Sequence, residues 1–205
     1  MVDTAVRRQK ASSVTGSQSL RRVLPVLLVA VLSWPSLPVW AANWNPLPDT
    51  GQTTCYDTKG IEVACPTDEQ PLFGQDAQYL GEEPAYLDNG NQTVTDQLSG
   101  LTWMKSDDGT ARTWQEAVDY CAELDFGGQS DWQLPTKFML ESIVDYGRFN
   151  PALNPVFNCK VSFYWSSTPH ADNPEYAWSV FSDDGVDHWV HTSNQYYVRC
   201  VRAGL

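Results

Sequence analysis

Aromatic residues and cysteines recur in four ordered segments of the second half of this 205-residue chain. One segment places Cys121 at the end of a helix-like pattern, and the last places Cys200 within a strand-like run. The segments are Trp114–Cys121, Asp131–Thr136, Tyr164–Thr168 and Tyr196–Arg202. Their order places a helix cysteine and a cysteine of the last strand on either side of an aromatic-rich segment, and it constrains the fold more closely than the function.

The first 42 residues have the composition of an export signal rather than of a folded domain. Five basic residues precede the apolar run Val23–Leu32, which is short for a membrane span. Small residues up to Ala41 predict cleavage there or one residue later. The alternative, an uncleaved anchor helix, is disfavoured by Pro25 and Pro35. We therefore expect an exported protein, located in the periplasm, at the cell surface or outside the cell. No integral membrane segment is expected after cleavage.

Cleavage makes the remaining chain strongly acidic. It removes five Lys and Arg residues and Asp3, so 8 Lys and Arg remain against 24 Asp and Glu, a net charge of −16. Such a protein repels polyanions at long range, and nucleic acid is therefore excluded as an expected partner. The nine Trp and nine Tyr of the chain supply rings that can fill a core or stack on a ligand.

All five cysteines follow the predicted signal, and an oxidising compartment favours disulfides between them. Cys55 and Cys65 flank a short turn sequence, which predicts a local bridge that stabilises the loop by roughly 2–3 kcal/mol. The cysteine spacing does not suit zinc. The odd count leaves one thiol free or bonded to another chain.

Composition divides the remaining chain near residue 90. Residues 43–90 are rich in Pro, Gly, Asp and Thr, which predicts an extension that contains the Cys55–Cys65 loop. Residues 91–205 form the main domain, beginning with two strands, Thr93–Asp96 and Leu101–Met104. Two helices and a meander of short strands follow, so we predict an α+β domain.

Local signals define both helices. Thr113 and Glu116 form a capping box, and Gly127-Gly128 is predicted to end the first helix. Four of its residues share one face at the spacing i, i+3, i+4 and i+7, namely Trp114, Ala117, Val118 and Cys121. This face is predicted to be buried, so Cys121 points inward. Thr136 is predicted to cap a second helix that extends to about Val144. The residues of this helix available to the core are Phe138, Met139, Ile143 and Val144. The later strands are predicted at Phe163–Ser166, Ala177–Phe181, His188–His191 and Tyr196–Arg202.

From about Thr93 to Arg202, the chain resembles the domain family named after the C-terminal domain of the Legionella collagen-like protein. The resemblance implies a C-type-lectin-like domain, with two helices packed on short antiparallel strands and stabilised by disulfides. It also implies a Cys121–Cys200 bridge and leaves Cys159 as the odd thiol or a competitor for Cys200. The motifs that carry it are Thr93–Asp96, Gly100–Trp103, Trp114–Cys121, Asp131–Thr136, Tyr164–Thr168, Ala177–Val180 and Val198–Arg202.

The resemblance implies an adhesion-like binding domain, because the protein that names the family is associated with adhesion and sulfated polysaccharides. The charge of −16 opposes polyanion binding unless the basic residues cluster, namely Lys137, Arg148, Arg199 and Arg202. Similar motifs in formylglycine-generating enzymes give a catalytic alternative, but no catalytic residue is predicted here. A third interpretation is a structural subunit of an envelope or appendage assembly, in which Cys159 links chains and the protein forms oligomers. The loop composition also fits the variable proteins of diversity-generating retroelements.

Ligand-binding residues are expected between His170 and Tyr197, for a glycan or a protein partner. Strand alternation places Trp189 and His191 on one face and His188 on the other, and the first pair is the preferred ligand surface. The alternative makes Trp189 a core residue. The remaining predicted binding residues are Tyr176, Asp187, His188, Asn194 and Tyr196.

No cofactor is predicted, and calcium has only weak support. The sugar-binding lectins of this fold use Glu-Pro-Asn or Gln-Pro-Asp followed by Trp-Asn-Asp, and these tripeptides do not occur in this sequence. Several oxygen ligands would have to converge for calcium. The acidic and amide side chains available are also typical of solvated turns, and they are Asp172, Asn173, Asp183, Asp184 and Asp187.

Overall fold

The computed structural model describes residues 48–79 and 81–203, so the predicted signal peptide, residues 1–42, lies outside the described part. Within that part no helix is both long and apolar enough to cross a membrane. The strands are β1 (Cys55–Tyr56), β2 (Glu62–Val63), β3 (Tyr86–Asp88), β4 (Thr93–Asp96), β5 (Leu101–Met104), β6 (Phe163–Pro169), β7 (Tyr176–Phe181), β8 (Asp187–His191) and β9 (Val201–Ala203). The helices are α1 (Trp114–Ala122), α2 (Lys137–Glu141) and a 3₁₀ helix at Asp76–Gln78.

Two antiparallel sheets organise the main domain. One has the strand order β3-β4-β5-β9 and the other has the order β6-β7-β8. A third, two-stranded sheet joins β1 to β2 in the predicted extension. The prediction of a mixed domain with small helices and short antiparallel strands is confirmed.

Helix α1 begins as predicted and ends earlier than predicted. The Glu116 carboxylate accepts a hydrogen bond from the Thr113 backbone N–H at 2.8 Å, and Cys121 is fully buried. The helix ends at Ala122, so the prediction that it runs to the glycine pair is wrong. Gly127 has a φ of +62°, and a Cβ there would lie 2.8 Å from Thr93 Cγ2. The glycine therefore permits a tight turn against β4 rather than a helix end.

Helix α2 is shorter than predicted. Its Thr136 cap is confirmed, since the hydroxyl accepts from the Met139 N–H at 3.2 Å. The helix ends at Glu141 rather than near Val144, although Val144 is buried as expected. Phe138 is 74% exposed, so its predicted core position is wrong. A single turn of helix cannot direct all its apolar residues inward, and Met139 and Leu140 take the core positions.

The two helices cover opposite faces of the β6-β7-β8 sheet. Tyr164 and Val180 belong to a core that includes the buried residues of α2, whereas Trp165 belongs to a second core with Ala117 and Cys121 of α1. Alternation along β6 sends Tyr164 and Trp165 to different sides. The sheet therefore forms a middle layer between two apolar cores.

Both expected disulfides are present, and all five cysteines lie in the described part of the chain. Cys55 is bonded to Cys65, and Cys121 is bonded to Cys200. The second bridge joins α1 to the segment just before β9. Cys159 has a free thiol, whose Sγ lies 3.2 Å from the Lys160 carbonyl oxygen.

One predicted strand needs correction. The predicted strand Tyr196–Arg202 is regular only at β9, while Tyr196 and Tyr197 make isolated bridges to Arg112 and Tyr164. Strand β3 lies inside the predicted extension and pairs with β4. The chain before residue 91 is therefore joined to the sheet of the main domain.

Candidate functional site

A row of rings lies on one face of the β7-β8 hairpin. In the strand register, Tyr176 is opposite His191 and Trp178 is opposite Trp189. Residues directly opposite one another in antiparallel strands project to the same side. We call this surface the aromatic face, and it comprises His170, Tyr176, Trp178, Trp189 and His191.

The rings of the aromatic face contact one another without burying the surface. The ring centroids of Tyr176 and Trp189 are 5.3 Å apart, as are those of Tyr176 and His191 and those of His170 and Trp189. His170 stacks on Trp178 at 6.0 Å. Trp189 nevertheless remains 54% exposed, so the alternative that placed it in the core is wrong. The predicted pairing of Trp189 and His191 on one face is confirmed.

The position of α2 explains why this face is open. The helix packs over the Val180 end of the hairpin, where Val180 is buried, and its first residue, Lys137, reaches the rings. The Lys137 ammonium lies 4.0 Å from the Trp178 ring centroid, a cation–π contact. It also forms ion pairs with Asp187 and, at 3.5 Å, with Glu141. A charged group thus borders the rings at one end.

Burial and ion pairing shift the pKa values of the charged groups beside the aromatic face. Partial burial raises the pKa of Glu141 above its ordinary value despite the nearby ammonium. Burial opposes the charge of Lys137, but its hydrogen bonds and ion pairs with Asp187 and Glu141 leave its pKa raised. Lys137 is therefore a cation at physiological pH, and Asp187 is occupied as its partner.

The two histidines of the aromatic face each have one ring nitrogen engaged. His191 Nδ1 lies 2.8 Å from Ser193 Oγ and accepts from the Ser193 N–H at 3.2 Å. His170 Nδ1 accepts from the Asp172 N–H at 3.3 Å. Because Nδ1 accepts in both rings, the neutral tautomer carries its proton on Nε2. Each imidazole therefore retains a donor for a ligand.

The structure separates the predicted binding residues into two groups. Tyr176, Asp187, Trp189 and His191 lie on or beside the aromatic face. His188 projects to the other side of the sheet, with its ring 5.4 Å from that of Phe163.

Tyr196 and Asn194 lie away from the aromatic face as well. The Tyr196 ring is 5.1 Å from that of Trp165, and its hydroxyl lies 3.3 Å from the Asn194 amide nitrogen. Tyr196 is therefore a packing residue at the edge of the second core. Asn194 is exposed and hydrogen-bonds that tyrosine.

Two members of the aromatic face, His170 and Trp178, and the bordering Lys137 were missing from the predicted binding set. Alternation along β7 could have joined Trp178 to Tyr176, since they are two residues apart. The pairing of β7 with β8 and the approach of α2 depend on turn geometry and packing. The alternation of residues along a strand predicts neither that strand pairing nor the position of the helix.

The four basic residues considered for polyanion binding are engaged within the protein. Arg199 is 1% exposed, and Arg202 is paired with Asp131 at 2.6 Å. Arg148 donates to the Leu153 carbonyl at 2.9 Å, and Lys137 has the acidic partners described above. These residues do not supply a cluster of free positive charge.

Three of the five turn residues considered as calcium ligands, Asn173, Asp184 and Asp187, have side-chain partners. Asp184 accepts from the Val186 N–H at 3.0 Å, and Asn173 accepts from the Glu175 N–H at 3.1 Å. Among residues 48–79 and 81–203, no three His, Cys, Asp or Glu side chains converge as metal ligands would. The expectation that no cofactor is required stays a prediction.

The fold and the aromatic face define a disulfide-linked α+β domain with an exposed surface of rings. The family model of the Lcl C-terminal domain matches residues 92–202, more than half of the chain and all of the aromatic face. The chain belongs to the Lcl C-terminal domain family. A comparison with the curated proteins finds no match.

Proposed function

We propose that this protein is an exported, non-catalytic binding domain with a C-type-lectin-like fold, which recognises a glycan through the aromatic face. The observation that carries the proposal is the ladder of Tyr176, Trp178, Trp189 and His191, in which Trp189 is exposed and the other three rings are half-buried. Indole and phenol rings stack on the C–H faces of sugars, and imidazole N–H groups orient hydroxyls.

A neutral glycan fits this surface better than a sulfated one. Arg199 and Arg202 are buried or paired, and the cleaved chain would have a net charge of −16. Long-range repulsion would oppose a polyanion, whereas stacking on rings is insensitive to net charge.

The disulfide pattern supports a binding role over the alternative of a formylglycine-generating type of enzyme. That chemistry requires two accessible reduced cysteines in one cleft. Here Cys121 and Cys200 are bonded and fully buried, which leaves Cys159 as the free thiol. In the structural-subunit alternative, Cys159 would link two chains. Thiol titration distinguishes the binding domain from the structural subunit, because a monomeric binding domain has one free thiol and a covalent dimer has none.

A glycan array tests the proposal. The chain from Asn43 to Leu205 is applied with calcium and, separately, with a chelator. We expect hits in both conditions that disappear in a folded Trp189→Ala, His191→Ala variant. His188→Ala is the matched control, because that imidazole lies on the other side of the sheet. Absence of binding in either condition would contradict glycan recognition and favour a protein ligand or a structural role.

A further inference from the structure

A polar cleft lies on the four-stranded sheet, which is a different sheet from the one that carries the aromatic face. Thr95 is opposite Thr102, and Thr102 is opposite Arg202, so these side chains share one face of the sheet. The cleft has a volume of about 510 Å³, within the range of small-ligand sites. We define the polar cleft by six of its lining residues: Asn89, Asn91, Thr95, Gln97, Thr102 and Gln129.

The charged groups that line this cleft have hydrogen-bond partners within the protein. Arg202 donates from Nε and Nη2 to the two oxygens of Asp131, at 2.6 and 3.1 Å. Asp96 accepts from the Leu98 N–H at 2.9 Å and from the Ser99 hydroxyl. An anionic ligand would therefore find no unpaired positive charge among these lining residues, and the Asp96 carboxylate is buried with its own donors. The cleft favours a neutral ligand.

The remaining lining groups are amides and hydroxyls. The Asn89 amide donates to Thr95 Oγ1 at 3.0 Å, and that oxygen lies 3.3 Å from Thr102 Oγ1, which forms a polar row along the floor. Gln97 and Gln129 are exposed, and their side-chain amides have no hydrogen-bond partner within the described residues. Each amide offers both a donor and an acceptor, the two roles that a sugar hydroxyl complements.

The wall that carries Gln129 is fixed in place. The Trp132 indole N–H lies 3.1 Å from both the Phe126 and Gln129 carbonyl oxygens. The Asn91 amide donates to the Gly127 carbonyl at 3.0 Å, which ties the same turn to the sheet. A preformed wall reduces the entropy lost when a ligand binds.

We propose that the polar cleft binds a neutral saccharide through hydrogen bonds, as a second site independent of the aromatic face. An extended peptide is a poorer occupant, because it would need a free strand edge of N–H and C=O groups. The floor of the cleft consists of side chains on a sheet face. Failure of the aromatic face to bind glycan would leave this inference intact.

The test is an amide NMR titration of the chain from Asn43 to Leu205 with maltotriose, cellotriose and triacetylchitotriose. We expect saturable shifts of the Gln97 and Gln129 side-chain amide signals with at least one trisaccharide. A Gln97→Ala, Gln129→Ala variant should weaken that affinity by about fivefold or more, since each substitution removes a neutral hydrogen bond. Its affinity is followed through the side-chain amide signals of Asn89 and Asn91, which also line the cleft. Both residues are exposed, so the fold should persist.

A second variant and a control separate the two sites. Thr95→Trp fills the cleft and should abolish the shifts, whereas Trp189→Ala, His191→Ala should leave the affinity within about twofold, because distant sites act independently. The inference is overturned if none of the three sugars shifts the glutamine signals. It is equally overturned if binding survives Thr95→Trp or is lost only in the aromatic variant.

Discussion

Arg199 shows how one residue can be misjudged from sequence. As an arginine in an acidic chain it was a candidate for a cationic patch, yet it is 1% exposed. Its guanidinium donates to the carbonyl oxygens of Met104, Lys105 and Asn158 at 2.6–2.7 Å. It therefore joins the end of β5 to the loop before β6. Sequence shows the charge but not the carbonyls that will surround it.

Arg199→Met should lower the free energy of unfolding by about 3 kcal/mol or more, because one buried and two partly buried carbonyls lose a charged donor. Arg199→Lys is the matched control and should recover part of the loss, since an ammonium can reach fewer acceptors at once. Urea denaturation gives both values. A change below about 1 kcal/mol for the methionine variant would show that the three hydrogen bonds contribute little.

The Asp131–Arg202 pair predicts a pH dependence. Hydrogen bonding to Arg202 holds the pKa of Asp131 below its ordinary value. The pair therefore stabilises the fold above the unfolded pKa, about 4, and this contribution is lost as the pH falls through the folded pKa. Asp131→Asn should flatten the decline of stability below about pH 4, measured by urea denaturation. Asp125→Asn is the control, because that side chain is exposed and forms no ion pair with another described residue; equal slopes for both variants would contradict the prediction.

At the scale of elements, features set by the local sequence were predictable, and features set by contacts with distant strands were not. The Thr113 cap and the stripe that contains Cys121 are encoded within one helix, so both were predictable. The length of α2 and the irregular Tyr196–Tyr197 segment were not. Their geometry depends on contacts with distant strands, such as the bridge between Tyr164 and Tyr197. The same limit applied to the site, where Trp189 and His191 were found and Trp178 was missed.

The two disulfides should differ in their effect on stability. Cys121 and Cys200 are 79 residues apart, so replacing both by alanine should cost roughly 4–5 kcal/mol. The Cys55–Cys65 loop spans 10 residues and closes a two-stranded hairpin with exposed residues in both strands. Its removal should leave thermal unfolding of the main domain nearly unchanged, as measured by near-ultraviolet circular dichroism. Equal losses for the two double variants would contradict this division.

Across the whole molecule, the negative net charge and the accessible aromatic face both favour a neutral ligand. The acidic surface should keep the protein from heparin at about 0.15 M salt, because exposed charges still interact across a Debye length. Affinity chromatography checks this expectation. Retention on heparin that weakens steeply with added salt would contradict it and would reveal a basic surface outside the four arginine and lysine positions considered above.

The most direct test of glycan recognition is isothermal titration of the strongest array hit against Trp189 variants. We expect Trp189→Ala to weaken binding about tenfold, near 1.4 kcal/mol, while Trp189→Phe retains part of the affinity because a ring remains. His188→Ala should bind as the unmodified protein does. Equal affinity of Trp189→Ala and the unmodified chain would contradict the assignment of the aromatic face as the glycan site.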